Sequence, residues 1–263
     1  MVPNSNHSHP LALITGASSG IGETFARRLA ARGFNLVLVA RRRDRLEELR
    51  REFESSGDIA VEVLAVDLTQ PAGMCVVEEK IASAENLQLV VNNAGFGSRG
   101  LFHTISIEKQ ELMHRLHVIA TMRLSHAALR RMAIQRSGSI VNVSSVAGFL
   151  QGPSNVSYCA TKAWMNSFTE GLYLELRRAR LPIKVQALCP GFTHSEFHDT
   201  MGMDRGVVPK NWWMTSEDVV DASLRGLERG DLFVVPGWRY NSFVKLLRLL
   251  PRPLRHTLVR NAR

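Results

Sequence analysis

The sequence predicts an α/β fold, a single doubly wound parallel sheet with helices on both faces, over residues 11–237. Three observations predict it. Short apolar runs alternate with longer helix-period segments, the pattern that builds βαβ units. The apolar runs are nearly continuous, as in strands covered on both faces. The connections between them are short, and no internal repeat or low-complexity tract interrupts the series.

Taken in order, Leu11–Thr15, Asn35–Ala40, Ile59–Val66, Leu87–Asn92, Ser139–Ser144 and Ile183–Leu188 are the expected strands. Gly20–Arg32, Arg43–Ser55, Pro71–Ala84, Glu108–Arg136 and Ser157–Arg180 are the expected helices between them. Past Leu188 the pattern loosens into a long irregular segment, 190–215. A helix then starts with Ser216 as its expected N-cap, and Leu232–Val235 forms a last short strand. Residues 1–10 read as a polar extension and 238–263 as a basic, apolar tail.

Composition narrows the function classes. With 45% hydrophobic and 22% charged residues in 263, the chain can bury a full core. Its three cysteines, Cys75, Cys159 and Cys189, are odd in number and lack metal-type spacing. That argues against a disulfide framework or a zinc site and for a reducing, cytoplasmic setting. No apolar run is long enough to span a bilayer, and the polar N-terminus lacks a signal-peptide core. The net charge of +9 is scattered over several helices without a nucleic-acid motif, so solvated helix faces and a few phosphate contacts are expected instead of a nucleic-acid partner.

Thr15-Gly16-Ala17-Ser18-Ser19-Gly20-Ile21-Gly22 follows the first strand and opens the first helix. Glycines there permit a tight turn and close backbone approach, and the helix N-terminus offers free N–H donors to a pyrophosphate. The second strand ends in Ala40-Arg41-Arg42-Arg43-Asp44. In doubly wound, Rossmann-like folds this end meets the adenosine ribose, where a cation accommodates a 2′-phosphate. Arg41 and Arg42 therefore favour NADP(H) over NAD. Asp67, after the third strand, has two readings: an acceptor for the adenine amino group with Leu68 beside the ring, or a turn aspartate.

Tyr158 and Lys162 are four apart in a helical segment and share a face. A cation beside a phenol favours the phenolate, so the pair is expected to lower the Tyr158 pKa and ready it for proton transfer at a carbonyl or alcohol oxygen. Ser145 lies thirteen residues upstream and can bond the same oxygen. Ser144 competes with it; in a strand the two face opposite ways, and the structural role falls to Ser144.

Together these residues resemble the classical short-chain dehydrogenase/reductase family (SDR). The glycine turn at 15–22, Asn92-Asn93-Ala94-Gly95, Val143-Ser144-Ser145, Tyr158-x-x-x-Lys162 and Pro190-Gly191 stand in that family's order over about residues 11–195. The resemblance implies an NADP(H)-dependent oxidoreductase and a homodimer or homotetramer formed through the helices starting near Glu108 and Ser157. Gly16, Ser18, Ser19, Gly20, Ile21 and Gly22 would line the pyrophosphate. Asn93, Ala94 and Gly95 would pass beside the adenosine ribose, and Pro190, Gly191 and Thr193 would position the nicotinamide. Ser145 would polarise the substrate carbonyl, Tyr158 would be the general acid or base, and Lys162 would hold the nicotinamide ribose. His117 departs from the pattern, because relatives carry an asparagine there that holds a water of the proton relay. Two roles stand open for it: a neutral imidazole that donates and accepts in place of that asparagine, although an unperturbed ring becomes cationic near pH 6.5, or a packing residue.

The 190–215 segment holds Phe192, Phe197, Met201, Met203, Trp212, Trp213 and Met214. In this fold it covers the substrate, so an apolar carbonyl or alcohol is expected. In the tail, Phe243, Leu246, Leu247 and Leu250 share a helical stripe with Lys245 and Arg248 nearby. The stripe suits either peripheral contact with an anionic membrane or docking on protein. The alternative to an enzyme is a nucleotide-binding scaffold that has lost turnover.

Overall fold

The computed structural model describes residues 9–197, 206, 208–251, 253–255 and 257. Its strands are β1 (Leu11–Thr15), β2 (Asn35–Ala40), β3 (Val61–Ala65), β4 (Leu87–Asn92), β5 (Ser139–Val143), β6 (Lys184–Leu188) and β7 (Phe233–Val234). They form one parallel sheet in the order β3-β2-β1-β4-β5-β6-β7. The order reverses between β1 and β4, so the crevice beyond their carboxyl ends is the position where doubly wound sheets bind ligands.

Alternate strand residues feed two cores. Ala12, Ile14, Leu36, Leu38, Val91 and Val141 face one side, where α1 (Gly20–Ala30), α2 (Arg43–Ser56) and α7 (Ser216–Arg229) cover them. Leu13, Val37, Val39, Val90 and Ile140 face the other, under α3 (Pro71–Ser83), α5 (Thr121–Gln135) and α6 (Val156–Arg178). A period of two along each strand and apolar helix stripes on both faces account for the layered fold.

Most expected elements end within two residues of their predicted bounds, and four differences carry physical content. β3 is shorter than 59–66 because it is an edge strand, and the N–H of Ala60 goes to Asn35 Oδ1 (2.8 Å). The helix expected over 108–136 is α4 (Ile107–His114) running into α5 through a π-helical stretch, Arg115–Ala120. Thr215, not Ser216, caps α7: its backbone is extended and its Oγ accepts from the N–H of Asp218 (3.1 Å). Ser216 already lies in the first turn and accepts from Thr24 Oγ1 (2.8 Å). The tail forms α8 (Trp238–Leu249) with a different inner face from the expected stripe: Tyr240, Val244 and Leu247 are buried, whereas Leu246 is exposed. Arg248 lies over the rings of Phe149 (5.9 Å) and Phe233 (5.4 Å). The helix thus docks on its own domain by an inner stripe at i, i+4 and i+7, and nothing in its packing supports membrane contact. Among the described residues no helix is long and apolar enough to cross a membrane. Arg252, Arg260 and Arg263 of the tail lie outside them, as do Met201 and Met203.

Candidate active site

Close backbone approach builds the glycine turn. Gly16 holds φ +66°, and a Cβ there would stand 2.7 Å from Asn93 Nδ2 and 2.9 Å from Ala94 Cα. At Gly22 a Cβ would lie 2.2 Å from the Gly16 carbonyl oxygen. Thr15 joins β1 to β4: its Oγ1 accepts from the N–H groups of Asn93 (2.9 Å) and Ala94 (3.0 Å). The Asn93 side chain donates back to the carbonyls of Thr15 (2.9 Å) and Gly16 (3.2 Å). Ser19 is the N-cap of α1 but makes no side-chain cap bond, which leaves the positive helix end for another anion acceptor. Gly20 (φ +55°) and Ile21 complete the turn. A cradle that a Cβ would fill, at a helix N-terminus, fits the phosphates of a dinucleotide.

Arg42 reaches across to this turn. Its Nε and Nη2 donate to Ser18 Oγ (3.2 and 3.1 Å), and Nη2 also donates to the Ser18 carbonyl (3.1 Å). Its Nη1 pairs with Glu196 at 2.9 Å. Arg41 is exposed beside it. Asp67 Oδ1 accepts from the backbone N–H (2.9 Å) and hydroxyl (2.8 Å) of Thr69, a turn that precedes α3. Leu68 packs with Met74 and Val77 and also lines the cavity ahead of α3.

The reactive groups gather past β5 and β6. Ser144 Oγ donates to the Lys162 carbonyl (3.0 Å) and is spent on α6. Ser145 Oγ accepts from the N–H of Ala147 (3.1 Å) and donates to the Pro190 carbonyl (3.4 Å), close enough to the Tyr158 phenol to favour its ionised form. Lys162 is buried; its Nζ donates to the Val143 carbonyl (2.8 Å) and lies 5.7 Å from the Tyr158 ring centroid. The expected depression of the Tyr158 pKa is not present in the chain itself. Burial pushes the phenol up to about 12, and Ser145 only partly opposes it. Burial likewise brings Lys162 down to about 8. Desolvation outweighs pairing because the ammonium is turned to the Val143 carbonyl rather than to the phenol oxygen. Gly191 follows Pro190, and Thr193 Oγ1 donates to its carbonyl (3.1 Å).

His117 sits on the π-helical stretch, fully buried, in a place that π-turns often mark as functional. Its Nε2 takes the N–H of Phe96 (3.2 Å), so the ring proton is on Nδ1, which faces Thr161 Oγ1 (3.0 Å). Thr161 in turn donates to the Tyr158 carbonyl (2.9 Å). The ring meets Tyr158 edge-on at 5.9 Å, and Gly95 leaves room for it, since a Cβ there would be 2.7 Å from Nε2. Burial first, then Lys162 and His114, holds the His117 pKa well below its usual value. The ring therefore does not keep the unperturbed value near 6.5: it is neutral and pins the Gly95 turn to α6 through both nitrogens. Because the folded pKa is depressed, the unfolded chain binds the extra proton, and stability is lost as pH falls below about 6.5. Urea denaturation between pH 5 and 8 should show up to ~1.4 kcal/mol lost per pH unit from this group. His117→Asn should remove that contribution; identical slopes in both proteins would refute the pin.

Of the 190–215 segment, Phe197 meets the Tyr158 ring at 5.7 Å. Trp213 packs on Phe192 (5.6 Å) and His194 (4.8 Å), and Trp212 stands edge-on to Tyr240 (5.0 Å). Only part of the apolar set therefore faces the reactive groups. Sequence reasoning missed Thr161, Tyr240 and Gly148. Gly148 lets α6 approach, because a Cβ there would be 2.7 Å from the Lys162 carbonyl oxygen. Thr161 had one visible signal, a hydroxyl between Tyr158 and Lys162; Tyr240 had none.

Known proteins share this arrangement. The model of the family described as short chain dehydrogenase matches residues 10–205. A short-chain dehydrogenase from Sphingobium yanoikuyae, solved in complex with NADPH, has a TM-score of 0.84 and 36% identity over 97% of this chain and 96% of its own. The bulky-bulky ketone specific alcohol dehydrogenase from Comamonas testosteroni is 34% identical, with a TM-score of 0.79 over 92% of this chain and 95% of its own. A 7beta-hydroxysteroid dehydrogenase from Mediterraneibacter gnavus is 30% identical over 88% of both chains. With residues 10–205 matched as one span, and the serine, tyrosine and lysine brought together beyond the sheet's carboxyl ends, the chain belongs to the short chain dehydrogenase family of oxidoreductases.

Proposed function

We propose that this oxidoreductase uses NADP(H) to interconvert a bulky apolar ketone and its alcohol, with Tyr158 as general acid and base. The observation that carries the reading is the gathering of Ser145, Tyr158 and Lys162 past β5 and β6, with the Phe197 ring 5.7 Å from that of Tyr158. Ser145 donates to the carbonyl oxygen, which draws electron density from the carbon. Tyr158 gives its proton to that oxygen as the carbon is reduced, and takes it back when an alcohol is oxidised. Bound in the cradle, the nicotinamide nucleotide supplies or accepts the hydride. Gly16, Ser18, Ser19, Gly20, Ile21 and Gly22 hold its diphosphate. Asn93, Ala94 and Gly95 flank the adenosine ribose, and Asp67 with the Leu68 backbone borders the adenine. Lys162 holds the other ribose, and Pro190, Gly191 and Thr193 seat the nicotinamide.

Arg41 and Arg42 support NADP(H), since cations at this strand end suit a 2′-phosphate. Fluorescence titration should show NADPH bound more tightly than NADH. Arg41→Ala should weaken NADPH about tenfold to a hundredfold, the range of a lost charge-assisted bond, and change NADH little. Tighter binding of NADH by the unaltered protein would overturn the preference. The substrate class draws on the apolar groups over Tyr158 and on the ketone- and steroid-acting relatives.

The reading extends to a homodimer or homotetramer in the cytoplasm. Ile107, Leu112, Ile119 and Met122 on the α4–α5 face and Val156 on α6 are exposed apolar groups beside a cavity of ≈ 620 Å³. Ser145, Tyr158 and Lys162 do not line that cavity, and we assign its exposed apolar rim to self-association. All three cysteines are free thiols, which suits a reducing compartment.

A further inference from the structure

We propose that α8 clamps both described ends of the 190–215 segment, and that Tyr240 is a positioning residue for bulky substrates. Its phenol oxygen accepts from the Phe192 N–H (3.0 Å) and donates to the Trp212 carbonyl (2.8 Å). One buried hydroxyl therefore joins two backbone positions twenty residues apart. The neighbouring Arg239 donates to the Asn211 carbonyl (2.6 Å), a second tie from the same turn of helix. Between these ties the Tyr240 ring lies flush on Gly191, where a Cβ would stand 2.1 Å from a ring carbon.

Two routes carry this clamp to the reacting groups. Through Gly191 it reaches Pro190, whose carbonyl accepts from the Val146 N–H (3.0 Å) and from Ser145 Oγ (3.4 Å). Through Phe192 it reaches the short parallel bridge of Thr193 with Met214, and beyond it Phe197, 5.7 Å from the Tyr158 ring. The hydroxyl is separable from the docking of the helix. Val244 and Leu247 are buried, and Arg248 rests on two aromatic rings, with no part played by the phenol oxygen. Tyr240→Phe therefore removes the bridge and leaves α8 in place.

The inference rests on the ketone-reductase reading only for its kinetic consequence. In the NADPH-bound full chain, Tyr240→Phe should raise the KM for benzophenone about tenfold, roughly one lost hydrogen bond. KM for acetone and the Kd for NADPH should change less than about twofold, and kcat less than KM. Amide exchange in peptides covering 192–197 and 208–213 should speed up, while 238–249 stays protected. Unchanged exchange at both ends would overturn the clamp, and faster exchange with an unchanged benzophenone KM would overturn its role in substrate positioning. If the unaltered protein reduces no ketone, the reductase reading fails, and the exchange experiment still decides the clamp.

Discussion

Tyr158→Phe should reduce ketone turnover by about 10²–10⁴-fold, the range for a lost general acid, while NADPH still binds. The ring keeps its contacts with His117 and Phe197, so only the phenol hydroxyl, the proton donor, is removed. Direction of reaction sharpens the test. With its pKa pushed up to about 12 by burial, the phenol stays protonated between pH 6 and 9. Reduction, which consumes that proton, should show no limb from Tyr158 in this window. Oxidation needs the phenolate and should accelerate as pH rises. Steady-state rates in both directions, for the unaltered and Phe proteins, check this. Retention of turnover within about threefold would remove Tyr158 from the chemistry, a far smaller loss than a general acid commands. An unaltered protein that binds NADPH but turns over no ketone would instead favour the nucleotide-binding scaffold.

The second large effect belongs to Gly22→Ala. The new methyl carbon would stand 2.2 Å from the Gly16 carbonyl oxygen and 2.5 Å from Asn93 Nδ2. Neither neighbour is a flexible side-chain end free to swing away. Asn93 is tied to Thr15 and Gly16, and Gly16 is backbone at positive φ. The turn must shift as a unit, at a cost of about 1–3 kcal/mol for overpacking. The same shift displaces the N–H groups meant for phosphate, and NADPH affinity should fall about a hundredfold, near 2.7 kcal/mol. Gly171→Ala is the control: its Cβ meets nothing within 4 Å, and it lies within α6. There alanine should stabilise by about 0.5–1 kcal/mol. Thermal denaturation and fluorescence titration of both variants read the contrast. A Gly22→Ala protein that binds NADPH as tightly as the unaltered chain would show that the cradle is not the cofactor site.

Much of the site was legible in the chain because its signals are local. A glycine turn between an apolar run and a helix states its backbone demand outright. Gly16 and Gly20 do hold positive φ, and Gly22 is pressed against a carbonyl. The four-residue spacing of Tyr158 and Lys162 needs only one helix to put both on a face. Strand alternation does not separate Ser144 from Ser145, because β5 ends at Val143; tertiary contacts turn Ser144 to the Lys162 carbonyl and Ser145 to that of Pro190. Boundaries were less legible where a neighbour decides them. β3 stops early because it is an edge strand, and Thr215 takes the cap because its own backbone is extended.

By itself, then, the sequence determined the doubly wound sheet, the glycine turn at its ligand end and the placing of Tyr158 and Lys162 on one helix, all encoded in periodicity and short spacings. Tertiary structure alone decided the electrostatics and the long-range ties. Spacing predicts that a lysine lowers a phenol's pKa, but burial of both groups reverses the balance and raises it. Composition allows His117 to titrate, but enclosure between Phe96 and Thr161 keeps it neutral. A helical stripe marks the tail as amphipathic, but only packing shows that Tyr240 turns inward to grip Phe192 and Trp212. Desolvation and contact depend on which distant segments exclude water from a group, and no local pattern of residues carries that information.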